Sequence, residues 1–199
     1  MSIERNRARV LAGARKLLEQ PSGTEGFSVD AVARHAGVAR ATVYYQFKSK
    51  TGLLEALYDD LAKRASLPER IKEAFRQTTL TQALDALVRA YVHFWSRDRA
   101  VIRRLHAFAD IDPDFARSDR SRWRRDAIRA LLKQHAANAP TRPRSLATAV
   151  DVIHTLTSFE TYDSLARGAQ GQRDVVTLLH SLVMAHIRSM RADTPMDGI

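Results

Sequence analysis

Apolar residues return every three or four positions along most of the chain, and nowhere do they alternate with polar ones over a strand's length. That period lines one face of an α-helix and leaves no candidate for a half-buried strand. The chain is therefore expected to be all-α. Residues 3–19 carry Val10, Leu11, Ala14, Leu17 and Leu18 at helical spacing, and PSGTEG at 21–26 is turn chemistry that ends that helix. Ser28 is a good N-cap, with Asp30 in the dipole-favoured first turn of a short helix that turns Val32, Ala33 and Ala36 inward. Gly37 supplies the left-handed conformation that ends it. A second short helix is expected from about Ala39 to Gln46, and Ser49 can cap a longer one holding Leu53, Leu54, Leu57 and Leu61.

The texture changes at Ser66. Ser66 to Glu69 reads as a capping box with Pro68 near the helix start. Helices are expected at about 69–77, 80–97 and 99–109, then from Asp112-Pro113 to about Asn138. Pro140 and Pro143 bracket a turn, and two last helices, about 145–167 and 172–191, are parted by Gly168 and Gly171. The tail DTPMDGI reads as loose. There is no internal repeat.

Composition bounds the chemistry. The 199 residues are 45% hydrophobic with a mean hydropathy of −0.32, which suits a globular protein with a real core. Without a cysteine there is no disulfide, thiolate nucleophile or Cys-ligated metal, and a reducing cytoplasm is the expectation. Arginines interrupt every apolar run short of membrane-spanning length, and MSIERNRARV lacks an apolar signal core. The net charge of +10 and pI near 10.5 favour a polyanionic partner, nucleic acid first. Residues 1–65 carry +4 of it and the remainder +6, so charge alone locates no surface.

Val29 to Gln46 is where function concentrates. Two short helices joined by a turn of about three residues around Gly37 fit a helix-turn-helix. Ala33 is small where the helices cross, Val38 and Val43 share a core, and Phe47 closes it. With Val43 buried, the second helix turns Arg40, Ala41, Tyr45 and Gln46 outward. Such a helix fits the major groove: arginine reads guanine, glutamine pairs with adenine, and methyl groups meet thymine methyls. The Thr42 and Tyr44 hydroxyls, and Ser28 and Lys50 at helix N-termini, can reach phosphates. Spacing alone leaves open an ordinary helical hairpin with a polar outer face.

The segment FSVDAVARHAGVARATVYYQFKSKTGLLEAL, residues 27–57, resembles the DNA-binding signature of the TetR family of transcriptional regulators. The likeness lies in Ala33, the Ala36-Gly37-Val38 turn, Thr42-Val43-Tyr44, Phe47, Lys48 and Lys50 before a leucine-rich helix. It implies that Ser28, Arg40, Ala41, Thr42, Tyr44, Tyr45, Gln46 and Lys50 contact double-stranded DNA, with Tyr44 and Lys50 on phosphates and Arg40, Ala41 and Tyr45 on bases. Arg5, Arg7 and Arg9 are further phosphate candidates, a solvated surface being the other reading. The chain departs from the signature at Ala39, where a serine usually caps the recognition helix, at Ala41, often glycine, and at Thr51, commonly acidic. The missing cap is worth about 1 kcal/mol.

The resemblance further implies a domain division at 1–50 and 51–199, with the second part binding an effector and dimerising. The helices at 145–167 and 172–191 carry apolar stripes wider than one core face needs, among them Leu146, Val150, Ile153, Leu156, Phe159 and Leu165 on the first and Val175, Leu179, Leu182, Val183 and Ile187 on the second. A buried helix in a large monomer would explain these stripes too, and the resemblance implies that the two helices form the homodimer interface. Large aromatics with polar groups nearby in sequence, Tyr91, Phe94, Trp95, His106, Phe108, Trp123, His154, Phe159, Tyr162 and Asp163, are the candidate lining for a small lipophilic effector, a plain core being the other reading. In ARSDRSRWRRDAIR at 116–129, the interleaved Asp119 and Asp126 favour an ion-paired, solvated face over a second nucleic-acid site.

Enzyme signatures are absent. The Asp110-Ile-Asp112-Pro-Asp114 run has Phe115 where a calcium loop needs glycine and Ser121 where it needs glutamate. No HExxH, P-loop, dinucleotide glycine pattern or nucleophile elbow occurs. The expectation is a non-enzymatic, cofactor-free and metal-free repressor that a small effector releases from a palindromic operator. A nucleoid-associated or cell-division protein of the same fold without a ligand remains open, as does a helical ligand-binding or catalytic protein whose N-terminal motif is structural.

Overall fold

A computed structural model describes residues 3–20, 25–111, 115, 120–136, 143–168 and 171–192. Among these the chain forms eleven helices and no strand: α1 (Ile3–Glu19), α2 (Val29–Ala36), α3 (Arg40–Phe47), α4 (Lys50–Arg64), α5 (Leu67–Arg76), α6 (Leu80–Arg97), α7 (Arg99–Ile111), α8 (Arg120–Gln134), α9 (Pro143–Leu156), α10 (Phe159–Leu165) and α11 (Gln172–Ala192). The all-α expectation holds. No helix among the described residues is long and apolar enough to cross a membrane.

The chain divides into two compact units. The first comprises residues 1–65 and 98–118. Its centre is α1, whose Val10, Ala14 and Leu18 are fully buried and which packs on α2, α4 and α7. Arg104 of α7 donates to the carbonyl of Leu18, satisfying an orphan acceptor in the last turn of α1. Phe108 of α7 packs on Phe27 as a tilted ring pair, with centroids 5.4 Å apart. The expected division at residue 50 falls at the first residue of α4, and α4 packs on α1 and α3 within this unit.

The second unit comprises residues 66–97 and 119–199. Helix α6 is its axis, with Ala83, Leu84, Leu87 and Val88 fully buried and α5, α10 and α11 packed against it, while α9 joins α8 to α11.

Two helix starts and one helix length differ from the sequence reading. Ser66 stands at φ 52°, ψ 35° and makes no side-chain cap, so the expected capping box is not formed. A serine caps from the extended region, and the left-handed turn that swings the chain from α4 into α5 aims its hydroxyl elsewhere. Pro143 is the first residue of α9 rather than part of a turn, at the position where a missing N–H costs nothing. The helix expected over 145–167 is two helices. It breaks at Thr157, whose carbonyl accepts from Trp95 Nε1 at 3.0 Å and from Arg124 at 3.3 Å, and Ser158 caps a new helix through the Thr161 N–H. The expected start at Asp112-Pro113 and the turn at Pro140 lie outside the described residues, as does the tail.

Candidate nucleic-acid interface

Helices α2 and α3 are set by local chemistry. Ser28 is extended at φ −139° and accepts the Ala31 N–H at 3.1 Å, which starts α2. Gly37 ends it at φ +61°, where Val38 N–H reaches Ala33 O at 3.1 Å and Gly37 N–H reaches Arg34 O at 3.2 Å. This pair of bonds is a Schellman closure. The Gly37 carbonyl accepts from Arg9 at 3.2 Å, so an arginine of α1 fastens the turn. Ala39 is extended at φ −68°, ψ 145°, and no side chain caps α3. Lys48 at φ 66° ends α3, and Ser49 caps α4 through the Gly52 N–H at 2.9 Å.

Helix α3 buries only Val43 and Phe47. Its other faces carry the candidate contacts. Arg40, Ala41, Tyr44 and Tyr45 are exposed, Tyr45 to 69% and Tyr44 to 40%. Thr42 is half-buried at the start of the helix. Gln46 is also half-buried, and its amide donates back to the Ile3 carbonyl at 3.2 Å, so it ties α3 to α1 instead of standing clear with its neighbours. Exposed Ser28 uses its hydroxyl oxygen as a cap acceptor, which leaves its O–H able to donate. The Lys50 ammonium lies 4.6 Å from the Phe108 ring centroid and 5.8 Å from that of Phe27. Of the α1 arginines, Arg9 serves the turn, Arg7 lies 4.7 Å over the Phe47 ring, and Arg5 is exposed.

One contact had no sequence signal. Arg40 Nη1 donates to Asp30 Oδ2 at 3.1 Å and Nη2 to the Tyr44 hydroxyl at 3.4 Å, with the guanidinium 5.3 Å over the Tyr44 ring. The Tyr44 hydrogen bond and the Asp30 carboxylate both stabilise the charge and raise the Arg40 pKa. Arg40 and Tyr44 are neighbours by their i, i+4 spacing on α3, and the turn brings Asp30 of α2, ten residues back, to them.

The ten effector candidates separate. In the second unit Trp95 stands 4.5 Å from Phe94, 6.2 Å from Tyr91 and 5.6 Å from Phe159, which in turn stands 6.5 Å from Tyr162. All five rings are buried, as is Asp163 beside Tyr162. Arg124 enters this cluster from α8. Its guanidinium lies 5.7 Å over the Tyr91 ring and 2.9 Å from His154 Nε2. Arginine has no acceptor, so the ring nitrogen accepts and the imidazole proton sits on Nδ1. Among the described residues the Tyr91 hydroxyl is buried without a partner, and burial pushes its pKa up to about 12 against the opposing pull of Arg124. Trp123 lies elsewhere in this unit, 54% exposed on an apolar groove with Ile71 and Phe75. His106 and Phe108 belong to the first unit. Within the arginine-rich run, Arg129 pairs with Asp126 at 2.9 Å and Arg125 with Asp151, as a solvated face requires, but Arg124 points inward.

A short helix held by a Schellman turn on a three-helix core, with its polar face outward, defines a helix-turn-helix DNA-binding domain. Comparison with known proteins agrees. Residues 10–57 match the model of the bacterial regulatory proteins of the tetR family. A stretch of 58 residues is 47% identical to the HTH-type transcriptional regulator EthR of Mycolicibacterium smegmatis, covering 29% of this chain and 26% of that relative. The whole fold is similar to that of a TetR-like transcriptional regulator from Rhodococcus sp. RHA1, at TM-score 0.66 and 18% identity over 90% of this chain and 93% of that one. It is also similar to the TetR family transcriptional regulator PfmR from Thermus thermophilus, at TM-score 0.64 and 18% identity over 90% and 97%. The N-terminal segment thus matches the DNA-binding domain of the tetR family, and the chain as a whole shares its fold with these solved structures.

Proposed function

We propose that the protein is a transcriptional repressor that binds a palindromic operator as a homodimer and is released by a small lipophilic effector. The observation that carries this reading is the exposed face of α3, where Arg40, Ala41, Tyr44 and Tyr45 surround a helix that buries only Val43 and Phe47. Arg40 and Tyr45 meet base edges, and Tyr44, Thr42, Ser28 and Lys50 meet phosphates. Residues 51–199 include the parts that dimerise and bind the effector. The dimer forms through α9 to α11, where Leu178 and Leu182 stand one turn apart and remain 44% and 43% exposed in the single chain. A two-fold dimer carries two recognition helices about 34 Å apart and so reads a palindrome. The effector lodges among Tyr91, Phe94, Trp95, Phe159 and Tyr162, where the unpaired Tyr91 hydroxyl offers it a hydrogen bond. It acts by favouring a dimer whose helices no longer match the half-site spacing.

The test is binding to duplex DNA across a KCl series, with light scattering on the free protein. The reading expects a steep salt dependence, a preference for one palindromic sequence and a dimer at micromolar concentration. Salt-dependent binding without sequence preference would favour a nucleoid-type role, and a monomer would remove the palindrome argument.

A further inference from the structure

Arg40, the residue best suited to read guanine, is held by two neighbours. Its five N–H donors supply one bond to Asp30 on α2 and one to Tyr44 on α3, at 3.1 Å and 3.4 Å. Three N–H groups remain, including one on each terminal nitrogen, enough for the two-pronged contact with guanine O6 and N7. We propose that Asp30 is a specificity-determining positioning residue that, with Tyr44, steers Arg40 to a base edge and away from the phosphate backbone. The proposal rests on α3 being the recognition helix.

Charge sets the choice between phosphate and base. A free arginine is drawn to phosphate by its net charge, and such a contact carries no sequence information. With a carboxylate 3.1 Å away, the pair is close to neutral, and a phosphate beside Arg40 would also sit beside Asp30. Guanine is uncharged. It needs directed donors, and those survive the pairing. The pair is exposed in the free protein and holds loosely in water. It strengthens as DNA displaces solvent and lowers the local dielectric. Holding the guanidinium over the Tyr44 ring also removes part of the rotamer freedom that a free arginine loses on binding. Asp30 is not needed to cap α2, because Ser28 does that.

The experiment uses a duplex that the full-length wild-type protein enriches from a randomised pool, a scrambled duplex of equal length, and fluorescence anisotropy over a KCl series. Variants are Asp30→Asn, Asp30→Glu, Arg40→Ala and the double Asp30→Asn/Arg40→Ala, with circular dichroism to confirm folding. Asp30→Asn is expected to tighten scrambled-DNA binding and to steepen the slope of log affinity against log salt by about one per recognition helix. Its ratio of selected to scrambled affinity should fall about fivefold or more, the low end of one bidentate base contact. Asp30→Glu should stay near wild type. In the Arg40→Ala background, Asp30→Asn should leave the ratio unchanged. An unchanged ratio in Asp30→Asn overturns the proposal. So does an equal effect with and without Arg40, which would mean plain carboxylate–phosphate repulsion. If the wild-type protein enriches no sequence, the recognition-helix reading falls and takes the proposal with it.

Discussion

Gly52→Ala sets two effects of opposite sign against each other. Gly52 lies in the first turn of α4, and by helix propensity alone an alanine there should stabilise by about 1 kcal/mol. Its ordinary φ gives no conformational reason for glycine. Space does: a Cβ would stand 2.2 Å from the carbonyl oxygen of Phe47, where an ordinary contact needs 3.4 Å or more. That oxygen is backbone at the α3–α4 junction, pinned by Lys48 at φ 66° and by the Ser49 cap, so it cannot swing aside as a side chain would. Overpacking costs about 1–3 kcal/mol, more when backbone must move. With the overpacking cost at the top of its range because backbone must move, the net expectation is destabilisation of about 2 kcal/mol, read as a lower urea midpoint at unchanged slope by circular dichroism. Gly13→Ala is the control. Its Cβ would meet Ala36 N at 3.2 Å, so little must move and the substitution should be close to neutral. A Gly52→Ala midpoint equal to or above wild type would refute the close approach that sets α3 against α4.

Ala39→Ser should stabilise by about 0.5–2 kcal/mol in urea denaturation, because residue 39 already has cap geometry and lacks only the acceptor. Tyr91→Phe should stabilise by about 1 kcal/mol at neutral pH, since a buried hydroxyl without a partner costs about that or more. The same substitution should flatten the alkaline limb of stability. A tyrosine whose pKa rises from 10.0 to about 12 on folding stays protonated while the unfolded chain ionises, so wild-type stability falls as pH rises between those values. Stability curves of the two proteins that stay parallel above pH 10 would contradict this. Leu178→Glu with Leu182→Glu should give a folded monomer by light scattering and weaken binding to the palindrome far more than binding to scrambled DNA.

What the sequence revealed is what chemistry settles within one turn of helix. Ser28, Gly37 and Ser49 act on N–H groups three residues ahead or carbonyls three to five behind, so their roles were legible. Ser66 misled because its type suits a cap while its backbone adopts a left-handed turn. The break at Thr157 had no local sign, because the indole that takes its carbonyl comes from 62 residues away. Arg124 looked like its neighbours in a basic run, and only the packing of α8 turns it onto Tyr91 and His154. In the candidate interface the outward face of α3 was readable from the burial of Val43. The return of Gln46 to the Ile3 carbonyl was not, nor the grip of Asp30 on Arg40, since both depend on how helices meet.

The central claim is that α3 reads DNA sequence, and selection of duplexes from a randomised pool tests it most directly. Wild-type protein should enrich one palindromic motif, and Arg40→Ala and Tyr45→Ala should each lose preference at particular base positions while keeping salt-dependent affinity for unrelated DNA. Enrichment of the same motif by both variants would contradict the account.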